Sequence, residues 1–207
     1  MCCLFGVMDY KNTLDRKQLN RILNVLATAC ETRGTDATGI AYNVNGRLRI
    51  FKRPLPAHRM RFKVPENVTA VMGHTRMTTQ GSEKFNYNNH PFYGNAETPF
   101  ALAHNGVIYN EDIIRRRENL VATHIKTDSY IAVQLLERKG KLSFNSLRYM
   151  AEQLEGSFTI TVMDAANNLY IVKGDNPMCL YLYPKAGGVY LRLSGGNLTV
   201  GTEKAAS

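Results

Sequence analysis

Three short stretches hold residues able to do chemistry together. Cys2 stands directly behind the initiator methionine, and removal of Met1 would leave a cysteine whose α-amine lies beside its own thiol. An α-amine with a pKa of about 7.7–8 is about a tenth to a fifth neutral at pH 7, so it can accept the thiol proton. One residue would then supply both nucleophile and base; a cysteine at such a position also serves as a small hydrophobe of a first strand. Arg76 closes the apolar run Gly73-His-Thr-Arg, and an arginine at a strand end can fork two N–H bonds onto a carboxylate or simply face solvent. His104-Asn-Gly106 reads by pattern as a tight hairpin, while the same Asn amide and Gly N–H can aim two donors at a developing oxyanion. Metal chemistry finds no support: Cys2, Cys3, Cys30 and Cys179 form no CxxC pair, and the histidines at 58, 74, 90, 104 and 124 show no HxxxH spacing. No metal and no cofactor are expected.

The elements that must position these residues can be read from periodicity. Apolar residues at Leu19, Ile22, Leu23, Leu26 and Cys30 recur at three and four, with Asp15 and Gln18 placed as a capping pair, which predicts an amphipathic helix ending before Gly34. Alternation on both sides of Asn45-Gly46 predicts a hairpin of Gly39–Val44 with Arg47–Phe51. Val68–Thr75 and Phe100–His104 read as strands, and Thr78–Asn95 as a long loop. Helical patterns cover Asp128–Arg138 and Phe144–Leu154. Strands are expected over Ser157–Met163, Leu169–Val172, Met178–Tyr183, Val189–Leu193 and Leu198–Gly201. Strands in excess, with helices grouped mid-chain, predict an α+β fold of antiparallel sheets with helices on outer faces.

Composition narrows the class further. The 207 residues are 44% hydrophobic and 21% charged, which excludes a disordered or fibrous chain and favours one domain. No apolar run approaches the roughly 18 residues of a membrane span, and charges among the first twenty residues argue against a secretory leader. A cytoplasmic location without membrane contact is expected. The 26 Lys and Arg against 17 Asp and Glu leave a net charge of +9, and seven of the cations fall between Arg47 and Lys63. That stripe reads first as a solvated strand and loop, and second as a binding face for an acidic partner. Arg115, Arg116 and Arg117 fit an exposed helix start.

Taken in order, the motifs resemble the class II glutamine amidotransferase domains of the N-terminal nucleophile hydrolase superfamily, in the style of the glutaminase domains of hexosamine-phosphate synthase and amidophosphoribosyltransferase. Cys2 with Gly6 resembles the family's opening, and Arg33-Gly-Thr-Asp-Ala-Thr-Gly39 its Arg-Gly-x-Asp-x-x-Gly segment. Gly73-His-Thr-Arg76 with Thr79 and Gly81 is similar to its arginine loop, and Asn89-His-Pro91 to its Asn-x-His-Pro. Ala103-His-Asn-Gly106 with Asn110 matches the oxyanion hairpin, and Thr127-Asp128-Ser129 the Thr-Asp-Thr motif. Gly156-Ser-Phe and the closing Gly201-Thr-Glu are also similar, so the likeness covers nearly the whole chain.

The resemblance implies a four-layer αββα sandwich and a single glutaminase domain over 1–207, with no acceptor or synthase domain in the chain. It implies that Cys2 attacks the side-chain amide of L-glutamine, that Asn105 and Gly106 hold the oxyanion, and that ammonia leaves a thioester which water hydrolyses. It further implies that Arg76 holds the substrate α-carboxylate and Asp128 its α-ammonium, that Thr79 and Gln80 line the pocket, and that Arg33 orders the loop over Cys2. His74 and His104 have no required role. Ammonia would pass to an acceptor on another chain or domain; an oligomer is compatible with this, and nucleic acid is not expected as a partner. The chain departs from the family's pattern at Cys3 in place of glycine and at Tyr130 in place of a common acidic residue, and from its hexosamine-synthesising members at Met77 and Gln80 in place of Trp and His. Two alternatives stay open: an N-terminal-cysteine hydrolase of another γ-glutamyl or acyl amide, and a catalytically silent module that binds through its basic surface.

Overall fold

A computed structural model of the chain describes residues 2–183 and 188–192. Its first strand, β1 (Cys3–Asp9), is buried along almost its whole length, and the Asp9 carboxylate accepts the N–H groups of Thr13 at 3.0 Å and Leu14 at 2.7 Å. That turn delivers the chain into helix α1 (Arg16–Cys30), where Asp15 and Gln18 form the expected capping box. Strands β2 (Ala37–Val44) and β3 (Arg47–Arg53) form the hairpin, with Asn45 and Gly46 both at positive φ as a two-residue turn demands. Strand β4 (Ala70–Arg76) is fully buried. Along β3 the residues Arg47, Arg49, Phe51 and Arg53 face solvent in alternation, so this part of the basic stripe is an exposed strand face.

Strands β5 (Phe92–Ala96), β6 (Thr98–Ile108), β7 (Gly156–Asp164) and β8 (Leu169–Lys173) make a second sheet in the order β5-β6-β7-β8. Strands β9 (Cys179–Tyr183) and β10 (Gly188–Arg192) complete the first sheet, ordered β3-β2-β4-β1-β10-β9. Every pairing is antiparallel. Helix α1 packs on β1 and β4, while α3 (Tyr130–Lys139) packs on β5 with α4 (Phe144–Gln153) beside it. Strands β1 and β3 meet β6 face to face, which gives the αββα order of four layers. Two apolar clusters fill it: one joins α1, the first sheet and the inner residues Ala101, Ala103 and Met163, and the other lies between the second sheet and α3 and α4.

Three local expectations change. The long loop from Thr78 to Asn95 contains the start of β5, whose Gly94 and Asn95 hide its alternation; Gly94 is bare because the Phe100 ring lies where a Cβ would stand, 2.2 Å away. His104-Asn-Gly106 is not a hairpin turn. Strand β6 runs straight through it, with Asn105 opposite Thr159 and Gly106 opposite Phe158, and the turn falls instead at Glu97 with φ 58°. Arg115, Arg116 and Arg117 occupy the last turn of helix α2 (Glu111–Arg117), where cations complement the carbonyl end of the helix. The strand expected over Leu198–Gly201 and the closing Gly201-Thr-Glu lie outside the described residues. Among the described residues no helix is long and apolar enough to cross a membrane, and no cluster of three His, Cys, Asp or Glu could hold a metal ion.

Candidate active site

Pairing of Cys3 with Thr75 sets Cys2 alongside the end of β4. The Cys2 Sγ accepts the Met77 N–H at 3.3 Å and lies 3.5 Å from the Met77 carbonyl oxygen. Arg33 donates from Nε to the Cys2 carbonyl at 3.2 Å. The same segment pins the loop after β4: the Asp36 N–H donates to the Arg76 carbonyl at 3.0 Å, and the Asp36 carboxylate accepts the Thr78 N–H at 2.7 Å. Gly34 permits this approach, since a Cβ there would stand 2.5 Å from the Arg76 carbonyl carbon. Burial pushes the Cys2 thiol up from its ordinary pKa. The Met77 N–H and the Arg76 charge oppose that rise, and the Asp128 carboxylate adds to it.

Arg76 is buried, with its guanidinium turned into the loop it precedes. It donates to Asn89 Oδ1 at 2.7 Å, to the Gly81 carbonyl at 2.8 Å and to the Gln80 carbonyl. A guanidinium has five N–H donors, so these bonds hold the side chain in place and leave capacity for a ligand carboxylate. Asp128, also buried, accepts the Ile108 N–H on Oδ2 at 2.7 Å and the Ser129 N–H on Oδ1 at 2.8 Å. It is thereby moored to the end of β6, two residues beyond Gly106. Its own N–H donates to Gln80 Oε1 at 3.2 Å, so Gln80 bridges the arginine loop and the Asp128 turn. On that loop Gln80 is exposed and Thr79 is exposed beside it.

Asn105 is 1% exposed, and neither its Nδ2 nor its Oδ1 has a partner among the described residues. Its backbone is held firmly: Asn176 Nδ2 donates to the Asn105 carbonyl at 2.9 Å, and Thr159 donates to the Asn176 carbonyl at 2.8 Å. Gly106 comes next at φ 145°, where a Cβ would fall 1.8 Å from the Ser157 carbonyl oxygen, so only glycine fits. The hydroxyls of Thr78 and Thr127 are likewise buried with no partner among the described residues. Leaving such groups unpaired costs about 1–3 kcal/mol each, so each retains the capacity to bond a polar ligand.

Three buried histidines tie these strands together. His74 donates from Nε2 to the His104 carbonyl at 3.0 Å, and the His104 N–H donates to His90 Nδ1 at 3.1 Å. The His74 and His90 rings stack at 4.2 Å. His104 Nδ1 meets Ser129 Oγ at 2.7 Å, and that hydroxyl donates to Asp128 Oδ1 at 3.2 Å, so the imidazole is the donor. Burial holds His74 at about 3, His104 at about 4 and His90 well below its ordinary value, so all three are neutral near pH 7 and act as struts.

The structure therefore brings Cys2, Arg33, Arg76, Gln80 and Asp128 into one connected network through the arginine loop, and seats Asn105 and Gly106 on β6, whose last residue, Ile108, is bonded to Asp128. Sequence reasoning passed over Met77, Asp36, Thr78, Thr127 and Asn176 as parts of the site. Asp36 sits inside the Arg33–Gly39 motif, which is the available signal; Met77 acts through its main-chain N–H and Asn176 through a side-chain amide brought to the Asn105 carbonyl across 71 positions, and no residue pattern displays either.

Comparison with known proteins agrees with this arrangement. A family model described as a glutamine amidotransferase domain matches residues 74–193. The isomerizing glutamine–fructose-6-phosphate aminotransferase of Geobacillus kaustophilus is 33% identical over 190 residues, covering 88% of this chain and 30% of that protein. Its counterpart in Chlamydia trachomatis is 31% identical over 191 residues, again 88% and 30%. The chain thus spans under a third of the length of these curated relatives. Among solved structures, the glutamine phosphoribosylpyrophosphate amidotransferase of B. subtilis superposes with a TM-score of 0.74 at 17% identity, over 92% of this chain and 41% of that one, which is a likeness of fold. Family model and curated relatives coincide with the order of the motifs, and the chain belongs to the glutamine amidotransferase domain family.

Proposed function

We propose that this chain hydrolyses the side-chain amide of glutamine to glutamate and ammonia through Cys2, with the ammonia passed to an acceptor on another domain or chain. The observation that carries the reading is the setting of the Cys2 thiol, held by the Met77 N–H within the opposed fields of Arg76 and Asp128. A free amino acid carries one negative and one positive group at its head, and this pair of charges answers both. An amide without that head would leave two buried charges unmatched. After loss of Met1 the α-amine takes the thiol proton, and sulfur attacks the amide carbon. The Asn105 Nδ2 and the Gly106 N–H stabilise the tetrahedral oxyanion. The C–N bond then breaks, the protonated nitrogen leaves as ammonia, and water attacks the thioester to release glutamate and restore the thiol.

Glutamate release from glutamine by wild type, Cys2→Ala and Arg76→Ala tests this, once mass spectrometry has shown that Met1 is gone. Cys2→Ala is expected to be inactive, and Arg76→Ala to lose affinity for glutamine. Undiminished hydrolysis by Cys2→Ala would sink the mechanism.

A further inference from the structure

Lys52 lies on β3, an edge strand of the first sheet among the described residues, and unlike its exposed neighbours Phe51 and Arg53 it turns inward. Its ammonium donates to the Asn89 carbonyl at 2.5 Å and to the Pro91 carbonyl at 2.9 Å, and stands 5.2 Å from the centre of the Phe92 ring. The segment can come this close because Gly39, opposite Lys52 on β2, has no side chain. A Cβ there would fall 2.2 Å from the His90 carbonyl oxygen and 3.0 Å from Pro91 Cδ. Among the described residues the bonds of Lys52 go to carbonyls and not to a carboxylate. The charges that face it are Arg76 and, were they protonated, His74 and His90. Burial and the Arg76 charge lower its pKa to about 8. Filling this space with a desolvated cation is costly where an apolar side chain would pack, so the bonds it makes must matter.

The residue it grips explains why. Asn89 is the one whose Oδ1 accepts Arg76, and its Nδ2 donates to the Glu83 carbonyl at 2.7 Å. A rigid Asn89 therefore aims the guanidinium, and Lys52 fixes Asn89 from behind. We propose that Lys52 is a positioning residue for recognition of the substrate α-carboxylate, acting through Asn89 on Arg76. This rests on the glutaminase reading of Cys2 and Arg76 given above.

The test uses the processed full chain as wild type, Lys52→Met and Lys52→Arg. Each is assayed for kcat and KM with glutamine, and for alkylation of Cys2 by two probes. One probe is a diazoketone analogue of glutamine that carries the α-carboxylate; the other is iodoacetamide, which lacks it. Lys52→Met is expected to raise KM about ten- to a hundredfold with kcat little changed, the loss typical of a weakened charge-assisted contact. Its reaction with the diazoketone slows in proportion, iodoacetamide labelling stays at the wild-type rate, and Lys52→Arg recovers most of the affinity. An unchanged KM in Lys52→Met overturns the proposal, as does a parallel change with both probes, which would mean a loosened fold. A wild type that takes neither glutamine nor the diazoketone refutes the glutaminase reading and the inference with it. An active wild type beside an unaltered Lys52→Met refutes the inference alone.

Discussion

At the scale of single residues the site is defined by polar groups held rigid and left unpaired. The Asn105 carboxamide is the clearest case, because its main chain is bonded on both sides while its side chain has no partner among the described residues. Under the proposed glutaminase mechanism a donor preorganised in this way contributes chiefly in the transition state, where negative charge develops on the substrate oxygen. Asn105→Ala is therefore expected to lower kcat by about a hundred- to a thousandfold with little change in KM. Steady-state kinetics on glutamine check this, and a loss confined to KM would reassign Asn105 to ground-state binding. Arg76 behaves differently: three of its N–H bonds serve the protein, so its substitution disturbs the loop as well as any carboxylate it holds. Lysine cannot replace it, since one ammonium cannot serve Asn89, two carbonyls and a ligand in the geometry of a planar fork.

Elements impose their own constraints. Gly106 sits inside β6 at φ 145° against the Ser157 carbonyl, so Gly106→Ala must open the β6–β7 ladder at that point. A loss of at least about 1–3 kcal/mol in urea-unfolding free energy is expected from the strained backbone alone. An unaltered midpoint would show that the strand relaxes without cost. Helix α1 makes a contrasting case, because its capping box lies at the opposite end of this 15-residue helix from the end that leads into Arg33. Asp15→Ala should cost about 1 kcal/mol of stability and leave the kinetics with glutamine as they were. A change in kcat there would reveal a coupling between α1 and Cys2 that its packing on β1 does not suggest.

For the whole molecule, the meeting of the two sheets buries three imidazoles in neutral form. In the unfolded chain each has its ordinary pKa of 6.5, so below that pH the unfolded state binds more protons than the folded one. Their contribution to stability is complete above about pH 6.5 and falls as pH drops towards 4, by up to about 1.4 kcal/mol per pH unit for each imidazole. Urea midpoints measured from pH 7 to pH 4.5 should decline steeply, and His74→Gln should flatten the decline by about one proton's worth. A flat profile in the wild type would mean that these rings are hydrated in the folded state.

How far the sequence carried depends on the range over which each feature is set. The capping box at Asp15 and Gln18, the Asn45-Gly46 turn and the period of α3 and α4 depend on neighbours a few residues apart, and each was legible. The motifs likewise singled out Cys2, Arg76, Asn105 and Asp128, because their order along the chain carried the family resemblance that no one of these residue types carries alone. His104-Asn-Gly106 misled for the same reason: Asn-Gly is the local signature of a turn, and only pairing with β7, over 50 positions on, keeps it straight. Lys52 lay unmarked in a basic stripe, since nothing local separates an exposed cation from one drawn inward by the carbonyls of Asn89 and Pro91. Local chemistry and periodicity were determined by the sequence read alone. Which groups stay unpaired, which are neutral and which aim another side chain was decided by the packing of two sheets, because burial and long-range contact are properties of the folded chain.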